Sequence, residues 1–277
     1  MNKVLAANFL RLRKDKCFWA TLIFMAAMGV VFPIGRYVAM EEEGYTNTLE
    51  TAFFVCVIFI GFLAAILCGL FIGTEYSDGT IRNKIIAGQT RFGIYAAVLV
   101  CCCMAVLIMY VAFFIPCLCV GIPLLGFFDA TMKTVLLYTL DALLLGMAFA
   151  SIFTLIAMLC HSKTVSSVSC LLLMVLFLVA GAYMAQRLDV PPVRTVYSYN
   201  ADESSSPEAM EVENPRYLKG NERKVYEFLF DFLPGGQVLQ CASMESENPQ
   251  KLPFYSGIIV IAVSGTGVFF FRRKDIR

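Results

Sequence analysis

The chain has 277 residues, of which 59% are hydrophobic and 16% charged, with a mean hydropathy of +0.73 and a formal net charge of +1. Values so far from the soluble norm imply an all-α integral membrane protein with several spans. The near-neutral balance argues against nucleic acid as a partner, because a phosphate-binding surface needs a basic excess.

Before the first apolar run, Leu5, Phe9 and Leu12 recur at helical spacing, with Lys3, Arg11, Arg13 and Lys14 on other faces. The spacing predicts an amphipathic helix over residues 1–16, lying in the cytoplasmic interface. A plain basic anchor that only sets topology is the alternative.

A helix that crosses a hydrocarbon core of about 30 Å needs about 20 mostly apolar residues. Six segments meet that length: 17–40, 51–73, 92–115, 134–159, 164–185 and 254–271. The first is too long for a signal-peptide core and has no small-residue cleavage site, so it is expected to stay in the protein. The apolar run after Phe92 continues to Phe128, too far for one crossing, and Pro116, Gly121 and Pro123 interrupt it. Residues 116–133 therefore read as a re-entrant or interfacial turn. Four units result: the helix 1–16; five spans over 17–185 with a polar loop at 74–91; an external segment, 186–253; and a last span with a basic tail, 254–277.

Basic residues next to the spans set orientation. Five precede the first span, three lie in the loop (Arg82, Lys84 and Arg91), then comes Lys163, and Arg272, Arg273, Lys274 and Arg277 follow the last span. Only Asp15, Glu75, Asp78 and Asp275 oppose them on that side, so both termini and the 75–91 loop read as cytoplasmic. The other side opens with three glutamates at Glu41.

Small residues recur every fourth position in two spans: Gly61, Ala65, Gly69 and Gly73 in the second, and Ala142, Gly146, Ala150 and Thr154 in the fourth. Such stripes let helices approach closely in lipid, within one chain or between two. Asp141 is the one acid well inside a span. A charge in hydrocarbon costs at least about 2.5 kcal/mol, so it must face a wet cavity or a partner; alternatively the fourth helix starts near Tyr138 and leaves Asp141 in its first turn, where the helix dipole favours a carboxylate. Arg36 can snorkel to the outer interface.

The eleven cysteines fall mostly in apolar runs without paired CxxC spacing, which predicts small apolar side chains and no metal site. His161 is the only histidine and reads as interfacial. Without HExxH or a buried acid pair, hydrolase chemistry has no support.

In the external segment, the Pro-, Ser- and acid-rich first half reads as loop. Residues 221–233 predict a helix with Val225, Phe228, Leu229 and Phe232 buried on one face, stopped by Pro234 and Gly235. No GxxxxGK[ST] occurs, so nothing in the chain cradles nucleotide phosphates.

The 75–91 loop is too polar for hydrocarbon. Asp78, Gly79 and Thr80 can start a helix, Ile81 and Ile85 share a face, Gly88 can end it and Thr90 can cap the next span. A helix this short needs a surface to dock on. TEYSDGTIRNKIIAGQTR resembles the loop between the second and third spans in permease subunits of ABC-2 type ABC transporters, where a Glu, then Gly-Thr, then Ile or Leu followed by Arg recur. Matching positions are Glu75, Gly79, Thr80, Ile81, Arg82 and Lys84. The six spans, the basic amphipathic start, the FLPGGQ stretch in the last external segment and the terminal FRRKDIR are similar to that family too.

The resemblance implies a coupling helix seated on a separate ATPase subunit, which would hold the ATP and Mg, and a second permease chain (the same or a different one) across a central pathway. Ile81 and Ile85 would dock, Arg82 and Lys84 would make polar contacts, and Glu75 would orient the helix through Arg82 or backbone amides. The chain itself would be no enzyme and would carry no cofactor. The expected function is an exporter's permease half in a bacterial cell membrane. An amphipathic peptide, a lipid or a hydrophobic drug would each suit an apolar pathway. Two alternatives stay open: a membrane sensor that uses an ATPase partner, and an ion-driven carrier with Asp141 as its ion site. The lack of two inverted halves weighs against the carrier.

Overall fold

Asp15 ends the first helix and starts the second. Its carboxylate accepts from the backbone N–H of Cys17 at 2.7 Å and of Phe18 at 3.2 Å, capping α2 (Lys16–Glu43) directly after α1 (Asn2–Lys14). The computed structural model describes residues 2–44, 48–160, 162–198, 208–246 and 248–274. His161, residues 275–277 of the basic tail and residues 199–207 of the segment 186–253 lie outside the described residues.

The second apolar run forms a short α3 (Leu49–Phe53) and, after a turn at Phe54 and Val55, the long α4 (Cys56–Ser77). Reading it as one continuous span missed that turn. Phe53 stacks on Phe114 at 4.4 Å between ring centres, and Glu50 accepts from Ala130 N–H at 2.7 Å, so α3 is held to its neighbours at this end. Next come α5 (Thr80–Ile86), α6 (Arg91–Leu125), α7 (Met132–Leu159) and α8 (Lys163–Leu188), and the last span is α11 (Lys251–Arg273). Six helical stretches, with α3 and α4 taken together, are long and apolar enough to cross a membrane.

The expected turn at 116–133 is corrected. Helix α6 runs unbroken through Pro116 and Pro123 for 35 residues, roughly 52 Å at 1.5 Å per residue, and ends where Gly126 takes φ +85°. Each proline removes one ladder hydrogen bond, but α2 lies along this stretch and packing holds it straight enough to continue. Gly29 of α2 faces the Phe113 carbonyl so closely that a methyl there would sit 2.6 Å from the oxygen, and Gly121 faces Leu49 and Pro33 in the same way.

Helices α4 and α7 form the centre, with α8 along α4 and α11 along α7. In both central helices 61% of the apolar window is buried, against 22% in α8 and in α11, so the latter two present open faces to the surroundings. The small-residue stripe of α4 meets α8 within the chain. A methyl on Gly69 or Gly73 would lie 2.7 Å from the Cα of Ser167 or Lys163, and Gly61 faces Met174. Gly146 of α7 meets Tyr110 and Val106 of α6 in the same way. All eleven cysteines are free thiols.

The segment 186–253 is more ordered than a loop. Strands β1 (Val193–Ser198) and β2 (Glu208–Glu213) pair antiparallel, from Val193 opposite Glu213 to Ser198 opposite Glu208. The β-branched run VRTVYS carries the signal; the polar residues that follow obscure it. Helix α9 (Gly220–Phe232) forms where expected, but its apolar face is not buried: Val225 and Phe228 are about half exposed. Phe228 and Phe232 instead stack on each other, ring centres 5.7 Å apart, and both meet Tyr255 edge-on. Pro234 does not merely stop α9. It occupies the first turn of a further buried helix, α10 (Pro234–Ser243), as suits a residue with no N–H to leave unpaired.

Candidate functional site

Glu75 sits in the last turn of α4, 1% exposed, at the end of the bundle that gathers the basic residues. Chain reversal into α5 is local. Gly79 takes φ +65°, a conformation glycine adopts without strain, and Thr80 Oγ1 donates to the Glu75 carbonyl at 3.0 Å. After α5, Gly88 takes φ +79°, and Thr90 Oγ1 accepts from Gly93 N–H at 3.1 Å to cap α6. Gly79, Thr80, Gly88 and Thr90 thus have the backbone roles the sequence suggests.

The side chains are arranged otherwise. Glu75 Oε1 is ion-paired with both Arg11 of α1 and Lys84 of α5. Lys84 Nζ also donates to Asn8 Oδ1 at 2.9 Å, and Arg11 donates to the Phe71 carbonyl at 2.5 Å while its guanidinium lies 3.7 Å from the centre of the Phe71 ring. Arg82, the expected partner of Glu75, points outward and is exposed. Ile81 is 1% exposed against its own chain and Ile85 is half-buried. The outward apolar residue of α5 is Ile86, 74% exposed, beside Arg82, Asn83 and Ala87. Sequence reasoning missed Asn8, Arg11 and Ile86. A choice among three neighbouring isoleucines depends on which way α5 is turned, and no local signal reveals a partner as distant as Arg11.

Other helix ends meet at the same place. Arg91 donates to the carbonyls of Arg272 at 2.9 Å and Lys274 at 2.5 Å, which closes the C-terminus of α11. Lys274 Nζ donates to the carbonyls of Met158 at 2.8 Å and Cys160 at 3.1 Å and lies 4.2 Å from the Tyr76 ring centre. Burial pushes the Lys274 ammonium down from the ordinary 10.5 to about 8.

At the opposite end, Asp141 is fully buried. Helix α7 begins at Met132, so a start near Tyr138 is excluded and Asp141 lies well past the first turn. Its Oδ1 is 3.4 Å from Ser256 Oγ of α11, which donates to Gln237 Oε1 of α10 at 2.6 Å; Gln237 Nε2 donates to the Asp231 carbonyl at 2.8 Å. Asp141 Oδ2 has no partner among the described residues. Nearby, a cavity of about 1310 Å³ opens between the ends of the spans and α9, lined by Arg36, Val55, Phe228, Gln240, Lys251 and Tyr255 among others.

Residues 4–186, about two thirds of the chain, match the family described as ABC-2 family transporter protein. With six helices of membrane-crossing length and this match, the chain belongs to the ABC-2 family of transporters and is a multi-pass membrane permease. No curated protein matches it.

Proposed function

We propose that the chain is the permease subunit of an ABC-2 type exporter in a bacterial cell membrane. It works with a separate ATP-binding subunit that docks on the outward face of α5, and with a second permease chain across the pathway. The observation that carries this reading is the split within α5: Ile81 and Lys84 tie it to its own bundle, while Arg82 and Ile86 stand free on the outer side. A seven-residue helix held that firmly, with an apolar residue in the open, transmits force better than it anchors in lipid. Closure of the ATP-binding subunits would press on α5, and α4 and α6 would carry the movement into the bundle. The basic end, with α5, is cytoplasmic in this reading. The cavity beside α9 would then face outward, and its mixed apolar and charged lining suits an amphipathic or lipid-like cargo.

The test is purification of the tagged chain from its native membrane, with mass spectrometry of what accompanies it. Recovery of a protein bearing a phosphate-cradling loop supports the reading, provided that Arg82→Glu weakens its recovery while leaving the chain folded. Equal recovery with Arg82→Glu and Ile86→Asp contradicts it. The unpartnered oxygen of buried Asp141 favours a second reading, an ion-driven carrier, which calls for its own test.

A further inference from the structure

Three helices meet at one carboxylate oxygen. Glu75 comes from the end of α4, Lys84 from α5 and Arg11 from α1, and both cations share Oε1. Asn8, one turn before Arg11 on α1 and 1% exposed, completes the group by accepting from Lys84. Resting on the reading above, we propose that the N-terminal helix is a working part of the coupling unit, with Arg11 and Asn8 as positioning residues that set the angle of α5 through Glu75 and Lys84.

Stability alone does not account for such a group. Burying the Glu75 carboxylate costs hydration that its attraction to two partly exposed cations does little more than return, and apolar side chains of the same volume would hold three helices together at least as well. Charged groups add direction. A carboxylate with two cations on one oxygen fixes where Lys84 ends, and thereby how α5 turns Arg82 and Ile86 outward. The cluster also contains a mismatch. Glu75 Oε2, an acceptor, and Asn8 Nδ2, a donor, are both buried without a partner among the described residues, though Lys84 bridges their residues. Buried polar groups are rarely left unpaired, and these two are complementary.

The experiment places spin labels at Ala7 of α1 and Asn83 of α5, both exposed, in the full chain in lipid nanodiscs, and reads their distance distribution without any ATP-binding subunit. A second arm measures affinity for that subunit and the hydrolysis rate of the complex. Arg11→Gln and Glu75→Gln should each broaden the distribution and weaken binding several-fold; Arg11→Lys should restore both in part; the double variant should be no worse than Glu75→Gln alone. An unchanged distribution in Arg11→Gln overturns the proposal. So does a broadened one with unaltered binding and hydrolysis, since α1 would then be a structural prop only. If no ATP-binding subunit associates even with the parent chain, the coupling reading itself falls, and the label arm still decides whether α1 sets the position of α5.

Discussion

Gly181 of α8 meets Gly235 of α10 backbone to backbone: a methyl carbon on Gly181 would lie 2.5 Å from both the carbonyl carbon and the oxygen of Gly235. A methyl on Gly235 would lie 1.7 Å from the Phe177 oxygen, so neither backbone can accept a side chain without moving. This crossing seats α10 on the bundle and brings Gln237 to Ser256. Gly235→Ala and Gly181→Ala should each cost about 1–3 kcal/mol, the usual range for forced overpacking. Thermal unfolding of the purified chain reads the loss. Gly257→Ala, inside α11 with nothing within 4 Å of the added carbon, should not lower the transition and should raise it by up to about 1 kcal/mol through helix propensity.

Asp141 lies in the same polar group and separates two mechanisms. Asn is close in shape and offers both a donor and an acceptor, so Asp141→Asn should keep the contact with Ser256, preserve ATP hydrolysis by the complex and reduce transport only in part. Asp141→Leu should cost more, about 1–3 kcal/mol, by leaving Ser256 and Gln237 with fewer partners. A flux driven by a pH gradient without ATP, present in the parent chain and lost in Asp141→Asn, would establish the carrier instead.

Phe228 and Tyr255, against which Phe232 packs, border the cavity at the end opposite α5. Phe228→Ser with Phe232→Ser should reduce substrate handling and leave association with the ATP-binding subunit intact. Loss of that subunit in a pull-down would place the two ends on the wrong sides of the membrane.

Lys274 gives a pH dependence of defined sign. In the unfolded chain its amine keeps its proton to near the ordinary 10.5; in the folded chain burial brings release down to about 8. Between those values Lys274 binds more protons in the unfolded chain, so its contribution to stability rises as pH goes from about 8 toward 10.5, and that gain disappears as pH falls back through 8. Unfolding scans across this range should show the parent chain gaining stability relative to Lys274→Met, and the difference between the two isolates this group.

What the sequence made legible was what repeats or acts locally. Runs of about 20 apolar residues reveal spans because lipid leaves a backbone few alternatives. Gly79 and Thr90 reveal turns and caps because their effects reach only a few residues. The continuity of α6 through Pro116 was hidden, since it depends on α2 packing alongside. So were the partners of Glu75: charge pattern alone favoured nearby Arg82, whereas folding brings up Arg11 and Lys84. The helix that Pro234 begins was masked by reading proline only as a stop, when it serves equally well as a start.

In the proposed function, the outward face of α5 touches an ATP-binding subunit. The most direct measurement places a photoreactive residue at Ile86, and in parallel at Ile81, in the native membrane, and identifies the products by mass spectrometry. Ile86 should yield an adduct with a protein bearing a phosphate-cradling loop, whereas Ile81 should yield links within its own chain only. Adducts of Ile86 with lipid alone, or capture of that protein from Ile81 and not from Ile86, would contradict it.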